Sequence, residues 1–175
     1  MKIIDLTQPL FDGMEIYPGD PEVRIKEIHT LEKEGWRLKL LSFSSHIGTH
    51  VNVPYHMAKT GKTLDDLSLD NFAGECVIYE DGMDFDSNTG VIFKDQNIDQ
   101  KITDKLIINS PRFIGLSAKF EFNVDLEKSL LEKGIISFEN LVNTEELPNK
   151  FFFYGAPLKI KNGDGSPVRA FVVLN

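Results

Sequence analysis

Three of the chain's four histidines fall within the twelve residues Ser45-His46-Ile47-Gly48-Thr49-His50-Val51-Asn52-Val53-Pro54-Tyr55-His56, and this segment limits the folds open to the chain. Read with a period of two, it separates into Ile47, Thr49, Val51, Val53 and Tyr55 on one side and His46, Gly48, His50, Asn52, Pro54 and His56 on the other. The first side is β-branched or aromatic, which suits an extended chain lying on a core. Gly48 and Pro54 argue against a helix despite the four-residue interval from His46 to His50. Every metal-capable group therefore shares one face. Four residues of flat strand would separate the Cα atoms of His46 and His50 by roughly 13 Å, so two imidazoles could share an ion only at full stretch and a local bend is expected. Gly48 is where a bend costs least, and its missing side chain is expected to leave room for an ion and its water. On pattern alone a plainer reading stays open, an edge strand with exposed histidines.

The flanking chain reads mainly as strands. Lys2 to Leu6 predicts a short strand, followed by a turn at Asp12-Gly13. Tyr17-Pro18-Gly19-Asp20-Pro21 is a stiff bend suited to a pocket wall. Glu22 to Thr30 and Arg37 to Ser45 form a hairpin around Glu32-Lys33-Glu34-Gly35. Thr63 to Phe72 predicts a short helical turn or two, and Cys76 to Tyr79 a buried strand. The stretch Glu80 to Gln100, rich in Asp, Asn, Gly and Lys, reads as a surface excursion. Leu106 to Asn109 and Phe113 to Leu116 read as short strands, and Val124 to Lys133 as a helix stopped by Gly134. Strands Phe151 to Tyr154 and Val168 to Leu174 are separated by the turn Asn162-Gly163-Asp164-Gly165. Strands outnumber helices, so an α/β or α+β sheet domain is expected, one domain over residues 1–175. The lack of a Gly-rich strand-to-helix turn argues against nucleotide cofactors.

A formal net charge of −8, with scattered lysines and arginines, argues against nucleic acid and anionic membrane surfaces as partners. The apolar runs Phe151 to Tyr154 and Ala170 to Leu174 are too short to span a bilayer. The N-terminus lacks a signal peptide's apolar stretch, so a cytoplasmic location is expected. Cys76 lies in an apolar run and reads as core rather than nucleophile; His29 reads as a surface residue.

The pattern His46-x-Gly48-Thr49-His50-x-Asn52-x-Pro54-x-His56 resembles the signature H-x-G-T-H-x-D-x-P-x-H of the cyclase family, which includes bacterial kynurenine formamidases. That signature fixes seven positions in eleven, and six are met here. Further resemblance lies in Ile4-Asp5-Leu6 through Asp12-Gly13-Met14, in Tyr17 to Pro21, in Leu64 to Gly74 and in Gly134-Ile135-Ile136-Ser137-Phe138-Glu139-Asn140-Leu141. The resemblance implies a swivelling β/β/α-type mixed-sheet domain with few helices. It implies His46 and His50 as ligands to a divalent metal, zinc or manganese, with Asn52 at a ligand position and Glu139 reaching the same site and serving its catalysis. His56 would be the general base, and Tyr17, Pro18 and Asp20 would line the substrate pocket. The implied substrate is a small amide or formamide resembling N-formylkynurenine, or a cyclic amide or ester, and the implied assembly is a homo-oligomer, a dimer or tetramer. The chemistry is coherent, because a cation polarises a carbonyl and acidifies water while a nearby imidazole moves the proton.

The sequence departs from the family pattern at two places. Asn52 stands where the family has a metal-binding aspartate, and an uncharged amide is a poor bridge between two cations. No histidine follows His56, where dinuclear members use one, and Glu127 is the only group near that place able to ligate. One ion, rather than two, is therefore the expectation. A catalytically impaired relative that keeps the fold for binding or assembly stays open as the alternative, in which case the site would hold no ion.

Overall fold

Residues 1–174 are described by a computed structural model, in which the strands gather into a nine-stranded mixed sheet and a separate two-stranded one. In chain order the elements are β1 (Lys2–Asp5), β2 (Arg24–His29), α1 (Leu31–Glu34), β3 (Leu38–Ser42), β4 (His50–Asn52), β5 (Ala73–Ile78) and β6 (Gly90–Phe93). They continue with α2 (Gln100–Asn109), β7 (Phe113–Ser117), α3 (Val124–Glu132), β8 (Ile136–Leu141), β9 (Lys150–Tyr154), β10 (Gly165–Pro167) and β11 (Phe171–Leu174). The large sheet runs β1-β11-β9-β5-β6-β7-β8-β4-β10. Its centre, β5 to β8, is parallel, while the pairs on either side are antiparallel.

Parallel strands must be covered on both faces, and β6 and β7 are buried along their whole length. Alternation divides their side chains between two cores. Ile92 and Phe113 join Val51, Val53, Phe138 and Phe153 on one side. Val91, Phe93, Ile114 and Leu116 meet Ile102, Leu106 and Leu130 of the two long helices on the other. Phe113, Phe138 and Phe153 pack ring to ring with centroids 4.8 to 5.3 Å apart. Each such buried ring contributes about 1.5–3 kcal/mol of transfer free energy.

Helix α3 forms where the leucine spacing places it: Asn123 accepts from the amides of Asp125 and Leu126, and Gly134 at φ +84° ends it. Two expectations are corrected. Leu106 to Asn109 is the last turn of α2 rather than a strand, because Asp99 caps the helix by accepting from Ile102 N and buries Ile102, Thr103 and Leu106 on one face. The Glu80 to Gln100 stretch is not wholly surface, since β6 within it is a central strand of the sheet. Its start needs a small residue: a Cβ on Gly90 would sit 2.4 Å from the Phe113 ring and 2.5 Å from Cys76 Sγ. Cys76 is core, and burial pushes its thiol pKa up.

Hairpin β2–β3 stands apart from the large sheet, with a bulge between Glu27 and His29. His29 is partly buried and meets the Trp36 ring edge-on at 5.5 Å.

The fold places the histidine segment through β4, which lies between β8 and β10. His50 stands opposite Glu139 and Asn52 opposite Ser137, while Gly165 stands opposite Asn52 on the other side. Directly paired residues of antiparallel strands project to the same face, so the register brings Glu139 beside His50.

Candidate active site

The expected bend is present. Gly48 adopts φ +57°, and the His46 and His50 rings come to a centroid distance of 5.4 Å. The space beside Gly48 is not left for an ion, however: a Cβ there would lie 2.7 Å from Leu10 Cδ2, so Leu10 fills it. The alternation also ends early. After Asn52 the chain leaves the sheet and Pro54–His56 forms a 3-10 turn. Tyr55 is consequently 46% exposed instead of joining the core. The same turn swings His56 back onto His46, with ring centroids 4.0 Å apart.

Two connected networks result. In the inner one, buried Asn52 donates from Nδ2 to Oε1 of Glu127 at 2.6 Å and to Oε1 of Glu139 at 2.5 Å. Glu127 also accepts from Ser137 Oγ at 2.8 Å. His50 is fixed through Nδ1, 2.8 Å from the Gly48 carbonyl, so its Nε2 faces Glu139 Oε1 across 3.5 Å. In the outer network both nitrogens of His46 face oxygens, Nδ1 to Asn52 Oδ1 at 2.7 Å and Nε2 to Asp164 Oδ2 at 2.8 Å. Asp164 also accepts from Ser45 Oγ and lies 3.7 Å from His56 Nδ1. His46 joins the two.

The electrostatics follow from this layout. Burial, then the neighbouring Glu139 charge, pushes the Glu127 carboxyl up to about 7. Burial also acts to raise Glu139, but hydrogen bonding and attraction from His50 outweigh it and hold Glu139 below the usual range. His50 is raised, because Glu139 overcomes the downward push of burial. Burial and then repulsion from His46 hold His56 below an ordinary imidazole. Asp164 is lowered, since hydrogen bonds from His46 and Ser45 overcome its burial.

The donors fit a divalent cation. With Nδ1 of His50 engaged, Nε2 faces Glu139 Oε1 at 3.5 Å, an ion pair when the ring is protonated and a pair of ligand atoms when it is not. An ion bound tetrahedrally at about 2.0–2.2 Å to each would separate them by roughly 3.4 Å. A second set, His46, His56 and Asp164, has donor atoms all within 4.8 Å of one another. That set lies at the surface side, where an open cleft of about 670 Å³ is lined by Tyr55, His56, Met57, Lys59, Asn162 and Asp164.

The structure thus brings His46, His50, Asn52, His56 and Glu139 together. It does not bring the pocket-wall candidates into that cleft: Tyr17 and Pro18 are exposed, and Asp20 accepts from Ser44 Oγ at 3.4 Å, at the approach to the histidine segment. Asp164, which the sequence shows only as part of a turn, joins the site as a candidate residue through its contacts with His46 and His56. Glu127, read there as able to ligate, is 4% exposed and in direct contact with Asn52. Another cavity, about 360 Å³ between Tyr79, Gln96 and Lys105, contains none of these groups. Among the described residues no helix is long and apolar enough to cross a membrane.

The family model described as "Putative cyclase" matches residues 4–105. A kynurenine formamidase of Salinibacter ruber is 28% identical over 204 aligned positions, covering 97% of this chain and 96% of that protein. An isatin hydrolase bound to the product analogue thioisatinate superposes with a TM-score of 0.82 at 17% identity, over 99% of this chain and 92% of that one. A potential metal-dependent hydrolase with cyclase activity superposes with a TM-score of 0.79 at 23% identity, over 98% and 96%. These superpositions establish a shared mixed-sheet fold.

Proposed function

The chain belongs to the cyclase family, and on that premise we propose that it is a metal-dependent hydrolase of a small amide, formamide or cyclic amide or ester, with N-formylkynurenine as the type of substrate. The observation that carries this reading is the convergence of three imidazoles and Glu139 on one small volume, with His50 Nε2 turned toward the carboxylate and His56 beside the cleft. His46, His50 and Glu139 would hold one divalent cation, zinc or manganese. When bound, the cation supplies Lewis acidity toward a carbonyl and lowers the pKa of water.

The chain's own groups handle the proton. His56, held below the ordinary imidazole range, is neutral at pH 7 and can accept a proton at the cleft. Asp164, in contact with His46 and near His56, orients both rings. The cleft lining offers Tyr55 and Met57 to an aryl group and Lys59 and Asp164 to the charged ends of an amino acid such as N-formylkynurenine. The test is hydrolysis of N-formylkynurenine by protein stripped with a chelator and then given zinc or manganese. Restored turnover that His56→Ala abolishes supports the reading, and no turnover with either ion removes it.

One observation favours a second reading, a catalytically impaired binding or assembly protein. Both amide hydrogens of Asn52 are satisfied by carboxylates, a closed arrangement at the position where the family signature has an acid. Activity that appears only in Asn52→Asp would favour it. We also propose that the chain forms homo-oligomers through hairpin β2–β3. Trp36, Leu40 and Leu41 there are each more than half exposed. Residues 24–42 carry Arg24, Lys26, Lys33, Arg37 and Lys39 against Glu27, Glu32 and Glu34, in a chain of net charge −8, so a second copy offers the complementary charge.

A further inference from the structure

Building on the metal-dependent reading, we infer that Glu127 is itself a ligand to the cation, poised by Asn52, so that the centre holds two carboxylates and favours manganese more than an imidazole-rich site would. Charge is the first argument. The inner network contains two carboxylates, Glu127 and Glu139, and one imidazole, His50, with His46 reaching it through Asn52. Among the described residues no Lys or Arg pairs with Glu127 or Glu139, so beside His50 the second carboxyl needs either a proton or a metal cation to neutralise it. Glu127 is 4% exposed, so in the metal-free protein the neutralising group is a proton, and a bound cation would take that proton's place.

Geometry is the second argument. One nitrogen, Asn52 Nδ2, reaches both Glu127 and Glu139, so the two carboxylates, one from α3 and one from β8, already converge on a common point. An amide can hold them there but brings no charge. Asn52 and Ser137 both donate to Oε1 of Glu127, and the Glu127 carboxyl also meets that of Glu139. The buried Nε2 of His50 faces Glu139 Oε1 at 3.5 Å, so Glu139 stands between the imidazole and Glu127 in this network. The acid missing at position 52 is thus made up from the helix across the site. Carboxylate oxygen in place of imidazole nitrogen moves a donor set toward manganese and away from zinc in relative affinity.

The experiment measures binding rather than turnover. Chelator-stripped wild type, Glu127→Gln and Glu127→His are titrated with Mn²⁺, following free ion by electron paramagnetic resonance, and with Zn²⁺ by calorimetry; circular dichroism checks folding. The wild type should bind one Mn²⁺, Glu127→Gln should bind it at least about tenfold more weakly, and Glu127→His should lower the Mn²⁺-to-Zn²⁺ affinity ratio by about tenfold. Unchanged Mn²⁺ binding by folded Glu127→Gln overturns the inference while leaving the hydrolase reading intact. A wild type that takes up neither ion overturns both. If Glu127→Gln does not fold, the ratio in Glu127→His decides, and an unchanged ratio overturns the assignment.

Discussion

His46 and His56 lie ring beside ring with centroids 4.0 Å apart, and a single carboxylate, Asp164, reaches both. Two imidazoles so close repel when both are charged, and Asp164 is the nearby group that offsets this. Asp164→Asn keeps the shape and removes the charge. In the hydrolase assay, kcat should fall about 10- to 100-fold with KM little changed, as for loss of a positioning group rather than the base itself. A kcat equal to wild type would remove Asp164 from the catalytic arrangement.

The pH profile follows from the same trio. His56 must be unprotonated to accept a proton, and burial together with His46 holds its pKa below the ordinary imidazole value of 6.5. The acidic limb of kcat/KM should therefore lie below 6.5 rather than above it. Asp164 acts in the opposite direction, raising His56, so Asp164→Asn should move that limb to still lower pH. A limb that moves upward in the variant would contradict this arrangement.

Gly165 fixes the position of His46 from the neighbouring strand. A Cβ there would lie 2.7 Å from His46 Cε1 and 2.7 Å from the Val51 carbonyl, one contact being backbone that cannot yield easily. Gly165→Ala should cost about 1–3 kcal/mol, lowering Tm by about 2–4 °C per kcal/mol, and should reduce activity as His46 is displaced. Gly74→Ala, whose nearest contact is the flexible arm of Arg112 at 3.1 Å, should be milder. Thermal melts and assays of the two variants side by side check this.

The sequence makes His46, His50 and the Gly48 bend legible because they depend on local chain geometry: a period of two, a residue that permits φ > 0 and a proline. Tyr55 departs because a three-residue helical turn ends the period, and nothing in alternation announces that. Glu139 is found through family resemblance, and its pairing with His50 spans 89 positions of chain, which no local pattern encodes. Asp164 is hidden for the same reason: its turn signal is genuine, but its contact with His46 arises only when β10 pairs with β4. In α2 the apolar residues Leu106 to Ile108 resemble a strand until Asp99 and Ile102 are included, and β6 is four apolar residues inside a polar stretch.

Glu127 makes a pH prediction for the metal-free protein. Its folded pKa of about 7 lies above the ordinary glutamate value of 4.5, so between these limits the folded state holds more proton than the unfolded state. Stability from this group is present below 4.5 and is lost as pH rises through 7. Glu127→Gln lacks that titration. Relative to wild type it should gain stability, on the order of 1–3 kcal/mol, between pH 4.5 and 7. Urea melts of both proteins in chelator across that range measure the difference, and a constant offset would show that Glu127 is ionised throughout.

Hairpin β2–β3 makes the last prediction. A two-stranded ribbon without a covered face is marginal in water, yet here every residue of β3 is exposed and β2 is no more than partly buried. Its apolar side chains alternate with Lys26 and Lys39, so a partner must offer both apolar surface and negative charge, as the remainder of an acidic chain does. The wild type should run as a dimer or larger by light scattering, with salt weakening the association. Leu40→Glu with Leu41→Glu should give a folded monomer, because apolar contact area is lost on both faces of the ribbon and two acids offset the positive charge that attracts an acidic partner copy. A wild type monomeric at tens of micromolar would rule out self-association as what stabilises the ribbon, leaving α1 and the His29–Trp36 contact to hold it.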